Sequence, residues 1–376
     1  MFLDWLRIVC VVFVSLSMAA VPVFGQGLAQ LVSVQKIWDS APYNSFTDLV
    51  AYKGAWYCCF RESTTHGVAL PGTIRILRST NGSTWASVAV LTSAAEDLRD
   101  PHMVITPDNR LMLYAAAVTP VAVDGVTHRN FVWFSQNGTN WTQRTEIGEP
   151  NVWLWRITWH NSTAYGIGYQ WNPTVLVRLY TSTDGTNFST LVSDMQASGI
   201  INETSRIIFL EDGTAKVLLR DSLWGTAQPP YTDWTWTPMG TNMGGPDMIR
   251  LPDGRFVAVT RLYDGIVRTS VTWVDPVTGA LTECLTLPSG GDTSYAGLVW
   301  YNDLLWISYY SSHEGKPSIY LAKVAFPDST PVSVTDTFTR ADNDALASTE
   351  QPRVAWVERQ TVGAAANVAS ITGGQM

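Results

Sequence analysis

Ser79-Thr80-Asn81-Gly82-Ser83-Thr84-Trp85, Ser135-Gln136-Asn137-Gly138-Thr139-Asn140-Trp141 and Ser182-Thr183-Asp184-Gly185-Thr186-Asn187-Phe188 are three copies of one pattern, Ser-x-(Asn/Asp)-Gly-x-x-(Trp/Phe). They start at 79, 135 and 182, so they recur after 56 and 47 residues. A blade of four short strands with its turns takes roughly 40 to 50 residues, and the repeat predicts a β-propeller. Within each copy, Asn or Asp followed by Gly supplies the positive φ of a tight turn. Ser can bond the turn backbone, and the aromatic ring plugs the gap between sheets. Turn and plug explain every position, which makes these residues structural.

A second repeat covers nearly the whole body: apolar strand, polar turn, apolar strand. It runs from Thr47 to Arg61 around Lys53-Gly54, from Met103 to Ala116 around Asp108-Asn109, and from Ile157 to Tyr169 around Asn161-Ser162. It returns from Arg206 to Arg220 around Asp212-Gly213, from Met248 to Arg261 around Asp253-Gly254, and from Gly297 to Tyr310 around Asn302-Asp303. Six hairpins of alternating apolar and polar residues imply six blades.

Counting seven residues onward from the second turn residue of each copy gives Arg61, Ala116, Tyr169, Arg220, Arg261 and Tyr310. Counting ten back gives Asn44, Arg99, Val152, Glu203, Gly244 and Thr293, with Tyr295 two positions beyond the last. In an antiparallel hairpin the start of the first strand lies beside the end of the second. Both sets are therefore expected at one mouth of the central channel, with the turn repeats on the opposite face. Arg61, Arg99, Arg220, Arg261, Glu203 and Tyr295 would then share a concave polar site. Clustered guanidinium groups bind carboxylate, phosphate or sulfate oxygens in pairs, which points to an anionic sugar. A Tyr is a poor nucleophile at its usual pKa near 10 and needs a neighbouring base, here Glu203.

Composition narrows the function. The formal charge is −8, only 15% of residues are charged, and no basic stretch occurs, which argues against a nucleic-acid partner. Residues 1–25 read as a signal peptide: Arg7 precedes an apolar run, Ile8 to Ala20, too short to span a bilayer. A secreted protein, extracellular or periplasmic, with no stable membrane insertion after cleavage is expected. Cys58, Cys59 and Cys284 form an odd set that reads as buried free thiols. No metal-ligand spacing and no phosphate loop is present, so neither metal nor cofactor is expected. The propeller is assigned to 30–327. Beyond it, 328–376 reads as a linker and the short start of an accessory β domain.

On its turn repeats and mouth residues, the body from about Ser33 to Phe326 resembles the sialidase superfamily, six-bladed propellers with Asp-box repeats. The resemblance implies an exo-acting glycosidase with a Tyr nucleophile, an exception among glycosidases, suited to a sugar whose own carboxylate would repel an anionic one. Glu203, followed by Asp212-Gly213 and then Arg220, is similar to the family's Glu, Asp-Gly turn and second carboxylate-binding Arg. Arg268 matches the third Arg, Tyr295 the nucleophile, and Glu314 lies near a supporting Glu. The first blade departs from the pattern: Tyr43-Asn44-Ser45-Phe46 lacks the first Arg, and the loop Glu62 to Gly72 has no Asp to act as acid. His66 and Asp100 are the candidate substitutes for the acid, and Arg61 or Arg99 for the missing Arg. The expected function is a secreted, sialidase-like glycoside hydrolase cleaving a terminal acidic sugar. A polysaccharide lyase on uronate glycans and a non-catalytic glycan-binding propeller are the alternatives.

Overall fold

The computed structural model of the protein describes residues 28–172, 174–197, 203–220 and 222–327. All fall within one compact unit, Gly27–Pro327. The segments read as signal peptide and as linker with accessory fragment lie outside the described residues.

Among the described residues, twenty-four strands form six four-stranded antiparallel sheets. After β1 (Gln30–Trp38), blade one contains β2 (Tyr43–Tyr52), β3 (Ala55–Ser63), β4 (Thr73–Ser79) and β5 (Ala86–Leu91). Blade two contains β6 (Asp97–Ile105), β7 (Leu111–Val123), β8 (Val126–Ser135) and β9 (Thr145–Ile147). Blade three is β10 (Trp153–His160), β11 (Thr163–Gln170), β12 (Leu176–Ser182) and β13 (Ser189–Val192). Blade four is β14 (Ile208–Phe209), β15 (Ala215–Leu219), β16 (Leu223–Ala227) and β17 (Trp234–Pro238). Blade five holds β18 (Met243–Arg250), β19 (Phe256–Leu262), β20 (Arg268–Val274) and β21 (Leu281–Thr286). Blade six is β22 (Thr293–Tyr301), β23 (Leu304–Ser311) and β24 (Ser318–Ala325), with β1 as its outer strand.

The six hairpins expected from sequence are the first two strands of each blade. Their register brings strand start against strand end: Ser45 pairs with Arg61, Arg99 with Ala116, Trp153 with Tyr169, Gly244 with Arg261 and Ser294 with Tyr310. In blade four the Arg220 N–H donates to the Glu203 carbonyl at 2.9 Å.

The three turn repeats share one hydrogen-bond pattern. Gly82 N donates to Ser79 Oγ at 2.8 Å, and Ser83 N and Thr84 N donate to Asn81 Oδ1 at 2.9 Å. Ser135 with Asn137 and Ser182 with Asp184 repeat it. Glycine is required because these turns butt against the preceding blade. A Cβ on Gly82 would lie 2.2 Å from the Trp306 ring of blade six, and one on Gly138 2.2 Å from Tyr57 of blade one.

Between blades the core is apolar and aromatic, as where Trp56 and Trp306 stack at 4.0 Å. Around the axis it is ionic. Arg156 reaches Asp48 at 3.4 Å and Asp247 at 3.5 Å, and Arg206 pairs with Asp247 at 2.5 Å. Asp48, Arg156 and Asp247 come from the inner strands of blades one, three and five and offset one another's charge in the interior, as buried charges must.

Candidate active site

In five inner strands one extra residue interrupts the ladder, between Ser45 and Asp48, Arg99 and His102, Leu154 and Ile157, Gly244 and Asp247, and Ser294 and Gly297. Such a β-bulge re-aims a side chain. The bulged residues Phe46, Asp100, Gly245 and Tyr295 have φ of 57°, 50°, 53° and 52°, a conformation that bulky residues rarely adopt. Phe46, Asp100, Tyr295 and the fifth bulged residue, Trp155, all line one cavity of about 440 Å³. The ring of bulges thus turns backbone irregularity into a site.

At its centre, Tyr295 Oη donates to Glu203 Oε1 at 2.6 Å. Arg220 Nη1 donates to the same oxygen at 2.7 Å and to Tyr295 Oη at 3.2 Å, and Gly245 N donates to Glu203 Oε1 at 3.2 Å. Burial, reinforced by the Glu203 charge, lifts the Tyr295 phenol well above its ordinary value despite the opposing guanidiniums of Arg220 and Arg261. The phenol therefore keeps its proton at neutral pH and holds it toward the Glu203 carboxylate. Phe46 and Trp155 meet the Tyr295 ring edge-on at 5.1 and 6.0 Å, fixing its plane.

Asp100 lines the same cavity. It is 8% exposed, and its Oδ1 has no hydrogen-bond partner. Burial pushes its carboxyl up to about 6, with Glu203 and Asp97 adding to the rise and Arg99 and Arg61 opposing it. A carboxyl that holds its proton up to about pH 6 can act as a general acid. Arg99 completes this wall, its Nη2 donating to the His66 carbonyl at 3.0 Å. His66 stands at the rim with its side chain 57% exposed and Nδ1 2.8 Å from Asp292 Oδ2.

Tyr295, Glu203, Arg220, Arg99, Asp100 and His66 are thus brought together, whereas Arg61, Arg261 and Arg268 do not reach the cavity wall. Arg61 is fully buried, bidentate to Asp97 at 2.7 and 2.8 Å, and donates to the carbonyls of Thr65 and Gly67. It clamps the loop that carries His66. Arg261 lies behind Tyr295, 5.3 Å from the ring centroid, with its donors on the Thr293 carbonyl, Asp292 and Tyr310. Arg268 is held by Glu283 at 2.6 Å and Asp264 at 2.8 Å. Glu314 pairs with Lys36 at 2.9 Å.

Sequence reasoning passed over an aromatic part of the lining, where Trp153, Trp155 and Trp171 of blade three and His128 of blade two join Tyr169, which the count had placed at the mouth. The alternation Trp153-Leu154-Trp155, one residue past the mouth position Val152, was the available signal. Among the described residues no group of three or more His, Cys, Asp or Glu side chains could hold a metal ion.

No protein-family model and no curated protein matches the sequence. Solved structures do match. A protein of unknown function from Dyadobacter fermentans superposes with a TM-score of 0.70 at 16% identity over 79% of this chain and 99% of its own. An alpha-L-arabinanase of Penicillium chrysogenum, complexed with arabinobiose, gives 0.60 at 12% identity, covering 78% of this chain and 98% of that one. Trypanosoma rangeli sialidase gives 0.57 at 10% identity over 79% of this chain, which spans only 58% of the sialidase. At such identities the likeness is one of architecture, and by its architecture this chain has the sialidase-like six-bladed β-propeller fold.

Proposed function

We propose that the protein is a glycoside hydrolase that cleaves a terminal acidic sugar through Tyr295. The observation that carries this reading is the 2.6 Å hydrogen bond from Tyr295 Oη to Glu203, tied to Arg220 and facing a cavity that also holds Asp100. Tyr295 attacks the anomeric carbon as Glu203 takes the phenol proton, and Asp100 protonates the departing oxygen. Water then attacks the glycosyl-tyrosine bond, Asp100 takes its proton, and Glu203 returns one to Tyr295, so each group ends as it began. Arg220 steadies the charge on Glu203 and, with Arg99, faces the sugar's carboxylate. The sialidase fold supports this reading, and the signal-like N-terminal sequence suits export to meet extracellular glycans.

A second reading, a neutral terminal sugar, draws on a different observation. Arg61, Arg261 and Arg268 are bound elsewhere, and one wall of the cavity is aromatic. The arabinanase of similar fold makes a pentose the natural comparison. Release of the aryl group from aryl sialoside, uronide and arabinofuranoside substrates tests both. Turnover of an acidic member, lost in Tyr295→Phe, is the expected result. Turnover of the arabinofuranoside alone selects the second reading, and an unsaturated sugar product absorbing in the ultraviolet, formed from a 4-linked uronic-acid glycan, marks elimination by a lyase. No release from any member, or release unchanged in Tyr295→Phe, refutes the Tyr295 mechanism.

A further inference from the structure

The aromatic wall has an order that the chemistry at Tyr295 does not use. Trp153 lies 6.1 Å from Trp171 with planes 29° apart and 6.4 Å from Tyr169 with planes 7° apart. His128 stacks on Trp171 at 6.3 Å and contacts Trp153 at 4.8 Å. Trp153 and Tyr169 are buried, but Trp171, at the outer end of the stack, is 52% exposed. It follows the last residue of β11 and lines the same cavity as Tyr295. A large flat ring left half in water, propped by buried rings and continuous with a polar pocket, is the surface on which the apolar C–H face of a pyranose or furanose rests. Burial pushes the His128 imidazole down to about 4, so the stack carries no charge at neutral pH.

Position says which sugar. Resting on the hydrolase reading, the nucleophile Tyr295 comes from blade six and the acid Asp100 from blade two. In a displacement the leaving group departs on the side away from the nucleophile and toward the acid. Blade three is next to blade two, and Trp171 stacks on His128 of blade two in the cavity that Asp100 also lines. We infer that Trp171, backed by Trp153 and Tyr169, is the stacking platform for the leaving-group sugar, so that the protein takes oligosaccharide chains rather than isolated monosaccharides.

Binding tests this without any turnover. An array of immobilised mono- and oligosaccharides, with acidic and neutral ends, is probed with Tyr295→Phe and with Tyr295→Phe carrying Trp171→Ala or Trp171→Phe. Because Trp171 is half exposed, its truncation leaves the fold intact, which thermal melting checks. The expected result is retention of oligosaccharides over the matching monosaccharides, at least tenfold weaker with Trp171→Ala and partly restored with Trp171→Phe. Retention that Trp171→Ala leaves unchanged, equal retention of monosaccharides, or no retention of any oligosaccharide overturns the platform. Failure of the Tyr295 mechanism shows separately, as turnover in wild type that Tyr295→Phe does not lower.

Discussion

Replacing Asp100 with Asn removes an ionisable group and little else, since the side chains share a shape and Asn also tolerates the φ of 50° found there. An Asp titrates near 3.8 in an unfolded chain, whereas burial raises Asp100 to about 6 in the fold. The separation, 6 minus 3.8, is about 2 pH units, and at about 1.36 kcal/mol for each the ionised carboxylate costs the fold about 3 kcal/mol. The folded value lies above the unfolded one, so stability is complete below about pH 4 and is lost as pH rises through about 6. Wild type and Asp100→Asn should therefore unfold at similar urea concentrations near pH 4. Near pH 8 the variant should be more stable by about 3 kcal/mol, and taking the difference at each pH cancels every other titrating group. The same substitution removes the proposed acid. Turnover of an unactivated glycoside should fall about 100- to 10,000-fold, and the loss of rate above about pH 6 expected of wild type should vanish. A stability difference that stays flat from pH 4 to 8, or one in which wild type gains on the variant as pH rises, refutes the burial argument. Unchanged turnover refutes the assignment of the acid.

Breaking the buried pair with Arg61→Ala should cost about 3 kcal/mol, because the fully buried Asp97 carboxylate loses its bidentate partner and is left with Arg99 at 3.6 Å and the Ala69 N–H at 3.3 Å; chemical denaturation at neutral pH checks this. Gly245→Ala would place a methyl group 2.8 Å from the Tyr295 ring at a φ of 53°. It should lower kcat more than it raises KM by swinging the phenol off Glu203, which steady-state kinetics would reveal. Ser79→Ala removes the acceptor for Gly82 N in a turn far from the mouth, and should cost about 1 kcal/mol in a urea melt while leaving kcat untouched.

The hairpins were legible because turn chemistry and strand alternation are local, and counting from the turns placed Glu203 beside Arg220 and both near Tyr295. The same count could not say where each guanidinium points. Arg61 and Arg220 hold the same position in their hairpins, yet Arg61 meets Asp97 of the next blade while Arg220 meets Glu203 of its own. That choice is made between blades and leaves no periodic trace. Phe46 marked, in sequence, only the absence of an expected arginine, and the bulge that turns it onto Tyr295 has no signature of its own. Asp100 was legible as a candidate but not its elevated pKa, which depends on burial supplied by remote strands. Trp153 and Trp171 were lost among 17 tryptophans, since plug and platform differ only in exposure.

The outer strand of blade six comes from the other end of the propeller: β1 runs antiparallel to β24, from Gln30 opposite Ala325 to Trp38 opposite Ile319. That seam makes the mouth a late product of folding. Blade six brings Tyr295, and its last sheet position stays vacant until segments nearly three hundred residues apart in sequence find each other. Loop-closure entropy makes such long-range pairing slow. A nascent chain can thus build its early blades one by one, yet Tyr295 has no settled place opposite Glu203 until the circle is latched.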